Sequence, residues 1–276
     1  MEKANYHFIQ NPPRELIEKA KRDATNEIAA FSVGMFSGSR SIGSGTLVQT
    51  GQDFGIITAH HVSECWNENE PLFLNISQQD HAFPLEKMEI EHKIVAGWKD
   101  SESEGPDLAL FKIKCPNKRG VIKSKKTFYN LDLCSAESVM EHPPKDMIWW
   151  AAGMPQEFAV ESGSVESRDL TTLQILFHAE LTFVSLYSRD NFDYLKTIVH
   201  SGSHGFPEDF KGMSGGGIWR SGLSLLDKDD LDSITYLKPV LAGVIQRQGD
   251  LLDGRRLIIG HGPSSVYHRA KDFLST

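Results

Sequence analysis

The sequence predicts an all-β protein of two packed six-stranded antiparallel β-barrels, with one helix near each end of the chain. Three observations predict this fold. Short β-branched and aromatic runs separated by Gly, Pro, Asn and Asp fill most of the 276 residues. These runs form two sets of six, divided by a loop-rich stretch over residues 116–144. Helical spacing is confined to residues 13–29 and 264–276.

The N-terminal helix is predicted over residues 13–29 because the segment PRELIEKAKRDATNEIA consists largely of good helix formers. Leu16, Ile17 and Ala20 fall on one face of this helix, and the leading proline suits a first helical turn. We take residues 1–30 as a helical extension that could dock on the barrels or on another protein.

The two barrels are predicted from their strand-forming runs. The first barrel covers residues 31–140, with strands at FSVGMF, SIGSGTLVQ, FGIITA, PLFLNIS, MEIEHKIVA and DLALFKIK. The second covers residues 141–276, with strands at MIWWAAG, LQILFHA, ELTFVSLY, GGGIW, VLAGVIQR and RRLIIGHG. The C-terminal helix ends this half, with Val266, Ala270 and Phe273 at helical spacing behind a serine that could cap it.

Charge and histidine spacing argue against several classes of protein. The chain has 29 Lys and Arg against 37 Asp and Glu, a formal net charge of −8, whereas nucleic-acid-binding proteins present basic patches. We therefore expect no nucleic-acid partner, and we interpret the one dense basic run, Lys123, Lys125 and Lys126, as a solvated loop. The eleven histidines show no zinc-site spacing, so we expect no metal and no cofactor.

The compartment is inferred from the cysteines and from the start of the sequence. Cys65, Cys115 and Cys134 are too few for a disulfide framework and are expected to be free thiols. The first thirty residues lack a secretory signal, and no apolar run approaches eighteen residues. We therefore expect a cytoplasmic protein with no membrane partner.

Two of the motifs that suggest chemistry lie at strand ends. Residues 56–62 form an apolar strand that ends in His60 and His61, where an imidazole could serve as a general base or could be structural. Residues 105–111 place Asp107 on the same strand face as apolar residues. A carboxylate in that position needs a cation or hydrogen-bond donors, and a histidine would supply them. The alternative is an aspartate that caps a turn.

The third motif, GMSGGGIW over residues 212–219, surrounds Ser214 with glycines. Glycines let a substrate carbonyl approach the main chain and allow the N–H groups of Gly212 and Ser214 to converge on an oxyanion. A serine is inert as a nucleophile until a neutral histidine takes its proton and an acid orients that histidine. The three motifs together therefore predict one catalytic unit in the chain order His, Asp, Ser.

The strings TAHHV, DLALFKI and GMSGGGIW resemble the histidine, aspartate and serine motifs of trypsin-like serine proteases of the chymotrypsin fold, particularly the disulfide-poor bacterial members. The resemblance covers roughly residues 28–275 and implies a chymotrypsin-like double barrel. It also implies that the general base is His61, three positions after Thr58, rather than His60.

The resemblance implies the remaining roles at the site. Asp107 would orient the histidine, Ser214 would be the nucleophile, and the N–H groups of Gly212 and Ser214 would form the oxyanion hole. Met213 stands where secreted members of the family keep an aspartate that pairs with a newly cut N-terminus. Activation through that ion pair is therefore not expected here.

The resemblance also implies a substrate-binding role for Glu208 and Gln246. Glu208 falls where the family places the base of its primary specificity pocket, and an acid there would favour Arg or Lys in the substrate. Arg247, next to Gln246, could neutralise Glu208, and Glu208 could equally be a solvated loop acid.

The sequence thus predicts a cytoplasmic serine endopeptidase that acts on a protein or peptide substrate. We expect control by narrow specificity, a regulatory protein partner or an active-site loop, with a stress or defence role. One alternative is a catalytically idle double-barrel module that binds peptides along a strand edge. Another is an α/β-hydrolase esterase, in which Asp253 and then His261 or His268 would follow Ser214. That fold needs helices in the middle of the chain, where the sequence pattern lacks them.

Overall fold

A computed structural model of the chain describes residues 7–8, 13–77, 82–97, 105–141, 147–158, 160–162, 171–173, 176–200, 207, 209–225 and 234–276. Strands predominate in this part of the chain, and they form the predicted all-β architecture of two barrel-like sheets.

The strands are β1 (His7–Phe8), β2 (Ser32–Ser37), β3 (Arg40–Thr50), β4 (Asp53–Thr58), β5 (Leu72–Asn75), β6 (Phe83–Leu85), β7 (Ile90–Ala96), β8 (Leu108–Ile113), β9 (Tyr129–Asn130), β10 (Ile148–Gly153), β11 (Val160–Ser162), β12 (Thr171–Leu173), β13 (Phe177–Arg189), β14 (Phe192–His200), β15 (Gly217–Leu225), β16 (Ile234–Leu252) and β17 (Arg255–His261). The α-helices are α1 (Arg14–Phe31), α2 (His60–Glu64), α3 (Pro116–Lys125), α4 (Ala136–Val139) and α5 (Lys271–Ser275). A π-helix covers Ser265–Ala270, and 3₁₀ turns cover Lys87–Glu89, Leu131–Leu133 and Gln156–Phe158.

The first sheet has the strand order β6-β5-β2-β3-β4-β8-β7, and each neighbouring pair is antiparallel. The sheet is curled, and β9 adds a short parallel pairing to β3. All six strands predicted for the first half of the chain are present. The short strands β6 and β9 are additions that the sequence pattern does not reveal.

The second sheet closes on itself. Its order is β15-β10-β13-β14-β17-β16, and β16 pairs again with β15, which completes a six-stranded barrel. β1 extends this barrel by pairing with the end of β15. The strands β11 and β12 form a separate two-stranded antiparallel sheet that is not hydrogen-bonded to this barrel.

Two strand assignments in the second half are wrong. The run ELTFVSLY and the end of LQILFHA form one long strand, β13, because Glu180 is simply an outward-facing residue between the buried Ala179 and Leu181. The strand β14 was not predicted. Asp190 and Asn191, with φ of 53° and 64°, form the two-residue turn that joins β13 to β14, a hairpin type that favours Asn and Asp.

The strands β4 and β8 are buried on both faces. On β4, Ile56 packs in the interior of the first sheet, whereas the next residue, Ile57, packs in the core shared with the second barrel. On β8, Phe111 faces the first of these cores and Leu110 faces the second. The ends of these two strands are therefore held rigidly at the junction between the barrels.

The N-terminal helix docks on the barrels. The helix α1 buries Ala20, Ala24 and Ile28, and the ring of Phe31 at its end stacks on Trp219 of β15 with centroids 5.3 Å apart. The predicted face is correct for Ala20, while Leu16 and Ile17 beside it are only half-buried. The sequence left open whether this helix docks on the barrels or on another protein. The face of Ala20, Ala24 and Ile28 docks on the barrels.

The C-terminal helix begins as a π-helix, which changes its buried face. Val266, Ala270 and Leu274 are buried at intervals of four residues, whereas the predicted Phe273 is 38% exposed. The wider π turn explains this shift. The cap also differs, because the carboxylate of Asp193 on β14 accepts the hydroxyl of Ser265 at 2.6 Å and its N–H at 2.7 Å.

The basic run is not a loop. Lys123 and Lys125 lie on α3, and Lys126 follows directly. The Lys123 ammonium lies 4.0 Å from the centre of the Phe54 ring, and Lys126 donates to the carbonyl of Ala29 at 2.9 Å.

The three cysteines are free, as predicted. Among the helices that the structure describes, none has the length and apolar character needed to cross a membrane.

Candidate active site

His61 and Asp107 meet because β4 and β8 are antiparallel neighbours. Thr58, the last residue of β4, pairs with Ala109 near the start of β8, so the residues just beyond these positions lie at the same edge. The backbone N–H of His61 donates to Asp107 Oδ1 at 2.8 Å. The ring Nδ1 of His61 lies 2.6 Å from Asp107 Oδ2. Both carboxylate oxygens are thus engaged by one histidine.

The environment of this pair determines the tautomer of the ring. Asp107 is fully buried, whereas the side chain of His61 is 45% exposed. In this contact Asp107 Oδ2 is the acceptor, so Nδ1 of His61 carries a proton and donates it. The lone pair then lies on Nε2. This is the tautomer that a general base requires.

The neighbouring His60 has a different environment. Its ring is buried against Gly97, where a Cβ would lie 2.7 Å from the ring Cε1. The carboxylate of Glu64 lies 3.7 Å from its Nε2. Of the two adjacent histidines, only His61 belongs to the described lining of the cavity beside Asp107.

Ser214 lies in the turn before β15, and both sheets hold that turn. Its carbonyl accepts the N–H of Ser44 on β3 at 2.9 Å, while the next N–H, of Gly215, donates to the carbonyl of Ile245 on β16 at 2.7 Å. Gly215 has φ of +85°, and a Cβ there would collide with the Ser44 carbonyl and the Thr58 hydroxyl. Glycine is therefore required directly after the serine.

Two backbone N–H groups beside the serine have no acceptor among the residues that the structure describes. The carbonyl of Lys211 accepts the N–H of Gln156 at 2.7 Å, and the carbonyl of Met213 accepts an N–H from within the turn at 2.9 Å. In a trans peptide the N–H points opposite to the carbonyl, so the N–H groups of Gly212 and Ser214 point away from these donors. Within the described part of the chain, neither N–H donates to a protein group.

These groups meet at a cavity of ≈ 430 Å³, lined by residues of both sheets. His61, Asp107, Gly212 and Ser214 all contribute to its wall. No hydrogen bond joins the Ser214 hydroxyl to the His61 ring among the described residues, and such bonds commonly form only when substrate binds. The arrangement offers a hydroxyl, an imidazole and two amide donors to one bound molecule.

Of the two residues that the sequence assigns to substrate binding, the structure describes one. Glu208 lies outside the described residues. Gln246 lines the cavity and is buried, and its side-chain amide donates to the carbonyl of Gly105 at 2.7 Å. Gln246 therefore holds the segment that leads into Asp107.

Sequence reasoning did not single out Gln248, which also lines the cavity. Its side-chain amide donates to the Asp209 carboxylate and accepts the N–H of Phe210 at 2.9 Å. Gln248 thus links two walls of the cavity. A glutamine near the end of a strand gives no sequence signal of such a role, because it equally suits a solvent-facing position.

A second residue that sequence reasoning did not place at the site is His261 at the end of β17. It is fully buried, and its Nε2 accepts the backbone N–H of Asp107 at 2.9 Å. Burial lowers the pKa of His261 to about 4, so the ring is neutral near pH 7.

No family model matches the chain, and no curated protein matches it. Among solved structures, kallikrein-related peptidase 10 is similar, with 13% sequence identity and a TM-score of 0.49. The similarity covers 89% of this chain and 95% of that one. At this level of similarity, a reaction has to be inferred from the site itself.

Proposed function

We propose that the protein is a serine endopeptidase that hydrolyses peptide bonds through an acyl-enzyme at Ser214. One observation carries the proposal: the hydrogen-bonded pair of His61 and Asp107 borders a cavity that Ser214 also lines. Two backbone N–H groups beside Ser214 have no acceptor among the described residues. These are the nucleophile, base, orienting acid and oxyanion donors of acyl transfer.

Each step of the proposed reaction has a group to perform it. The Ser214 hydroxyl attacks the substrate carbonyl while Nε2 of His61 takes its proton, and the N–H groups of Gly212 and Ser214 receive the oxyanion. Collapse of the intermediate breaks the C–N bond, and His61 returns its proton to the leaving amine. A water molecule, deprotonated by His61, then attacks the acyl carbonyl. The bond from the acyl carbon to Ser214 Oγ breaks, and His61 returns the proton to that oxygen.

The α/β-hydrolase alternative is incompatible with the fold. The sheets in the described residues are antiparallel apart from the short pairing of β9 with β3, whereas that fold needs a parallel sheet with helices between strands. The histidines required after the serine are also engaged elsewhere. His261 is buried behind Asp107, and His268 is exposed, 3.7 Å from the carboxylate of Glu137.

An activity-based probe distinguishes a peptidase from an idle peptide-binding module. A fluorophosphonate should label the wild-type protein at Ser214, because phosphonylation needs a serine whose proton His61 can take. Labelling and hydrolysis of a fluorescent casein should both be lost in Ser214→Ala and fall at least about 1,000-fold in His61→Ala. Ser124→Ala and His268→Ala, which change the same residue types on the surface, should behave as wild type.

Labelling of Ser124→Ala but not Ser214→Ala supports the peptidase. A wild-type protein that binds peptides but takes up no probe would be the idle module. A Ser214→Ala protein that cleaves casein as fast as the wild type would disprove the proposal.

We extend the proposal to the setting of the enzyme. A net charge of −8 and three free cysteines suit an intracellular enzyme that acts on proteins or peptides rather than on nucleic acid. We propose that a protein partner or the loop before Ser214 controls it, in stress or defence. Co-purification of the Ser214→Ala protein from stressed and unstressed cells tests the partner, and identical recovery would contradict the stress role. Cleavage-site profiling tests whether Glu208 selects Arg or Lys.

A further inference from the structure

We infer that His261 is a positioning residue: from the second barrel, it fixes the backbone of Asp107 in the first. This inference rests on the proposed function. Asp107 belongs to the first sheet, whereas His261 ends β17 of the second barrel, 154 positions further along the chain. The contact joins the backbone of the orienting acid to a buried imidazole at 2.9 Å.

The hydrogen bond to His261 completes the fixation of Asp107. Each carboxylate oxygen of Asp107 accepts one hydrogen bond from His61, so the side chain is held from the first barrel. The backbone N–H of Asp107 is buried with the residue, and a buried N–H needs an acceptor. His261 Nε2 supplies it. Without this acceptor, the Asp107 peptide would have to rotate toward another one and would carry the carboxylate with it.

A second contact from the same barrel supports this role. Gln246 on β16 donates its side-chain amide to the carbonyl of Gly105, two residues before Asp107. The strands β16 and β17 are neighbours, and Val244 pairs with His261. Two adjacent strands of the second barrel therefore hold both ends of the short segment that presents Asp107.

The surroundings of His261 keep its ring neutral and fixed. The ring packs against Tyr194, with centroids 5.0 Å apart, and against Phe192 at 5.6 Å. Among the described residues, the carboxylates of Asp107 and Asp193 act on the charge of the ring, and the titratable Tyr194 packs against it. Because Nε2 accepts a hydrogen bond, Nδ1 carries the ring proton, and within the described residues it has no hydrogen-bond partner. A neutral ring that accepts through Nε2 is what the Asp107 N–H requires.

The matched variants His261→Gln and His261→Met test the inference. Glutamine places an oxygen at about the position of Nε2, whereas methionine has a similar length but no comparable acceptor. In casein hydrolysis, we expect kcat of His261→Met to fall about 100-fold, the effect of misplacing a reacting group by about 1 Å, with KM little changed. We expect His261→Gln to remain within about threefold of the wild type. Thermal unfolding of both variants sets an assay temperature at which both are folded.

A spectroscopic measurement separates positioning from a general loss of stability. The proton shared by His61 Nδ1 and Asp107 should give a downfield ¹H NMR signal that disappears in His61→Gln. We expect that signal to persist in His261→Gln and to disappear or broaden in His261→Met. Equal signals and equal kcat values in the two His261 variants would overturn the inference. The signal does not depend on turnover, so a protein with no peptidase activity would refute the proposed function and still test His261.

Discussion

Replacing Asp107 with asparagine tests the tautomer that the site imposes on His61. The two carboxylate oxygens face two different donors, the backbone N–H of His61 at 2.8 Å and its ring Nδ1 at 2.6 Å. The backbone N–H can only donate, so the asparagine must turn its oxygen toward it and its NH₂ group toward Nδ1. Nδ1 must then accept, and the ring proton moves to Nε2. A protonated Nε2 cannot take the proton of Ser214.

The size of the effect follows from this change of tautomer. The variant keeps the shape of the side chain and one hydrogen bond, but it holds the base in the wrong form. We expect kcat to fall by about 10⁴, the magnitude typical of a triad forced into the wrong tautomer. This corresponds to about 5.5 kcal/mol of transition-state stabilisation, at about 1.36 kcal/mol for each factor of ten.

Casein hydrolysis and the rate of fluorophosphonate labelling at pH 8 measure this loss. Asp272→Asn makes the same chemical change at an exposed position on α5 and should leave both rates unchanged. Circular dichroism confirms that both variants are folded. A kcat for Asp107→Asn within tenfold of the wild type, with Ser214→Ala inactive, would show that the fixed backbone donor does not control the tautomer.

Two further predictions concern stability. Gly215 and Gly51 have positive φ of +85° and +54°, so alanine at either position destabilises the fold by about 1–2 kcal/mol. At Gly215 the new Cβ also collides with backbone atoms, whereas at Gly51 it meets none. Urea unfolding should therefore show Gly215→Ala to be less stable by about 2 kcal/mol or more beyond Gly51→Ala, and equal midpoints would contradict the collision. In the folded protein the pKa of His261 is lowered from 6.5 to about 4. As the pH falls from 6.5 to 4, the His261 ring is therefore protonated in the unfolded chain but not in the folded one, and the free energy of unfolding declines. The free energy of unfolding should lose about 3 kcal/mol more over this range in the wild type than in His261→Gln, and parallel pH profiles would argue against a buried neutral ring.

Most of the strands and the three residue types proposed for catalysis could be predicted because their signals are local. Along β4 and β8, turn formers and small residues bound apolar runs, and the chemistry of His61 and Asp107 is visible from the strand ends on which they lie. Ser214 is marked by its glycines. Each of these signals lies within about ten residues of the sequence, which is the range over which pattern reasoning works.

His261 and Gln248 could not be predicted because each acts through contacts that only the tertiary fold creates. His261 accepts from a backbone N–H, so no side-chain type on its partner marks the pair. The π-helix is missed for a related reason. Its register depends on the pocket that buries Val266 and Leu274 and on the carboxylate of Asp193, which reaches it from β14.

Each half of the candidate site is held in place by the opposite sheet. The carbonyl of Ser214, which belongs to the second half of the chain, is fixed by the N–H of Ser44 on β3. The N–H of Asp107, which belongs to the first half, is fixed by His261 on β17. Since neither sheet contains all the contacts that fix its own residue, neither is expected to hold its part of the site in place alone. We therefore expect the geometry proposed for acyl transfer to require both barrels packed together through the shared core around Ile57 and Leu110.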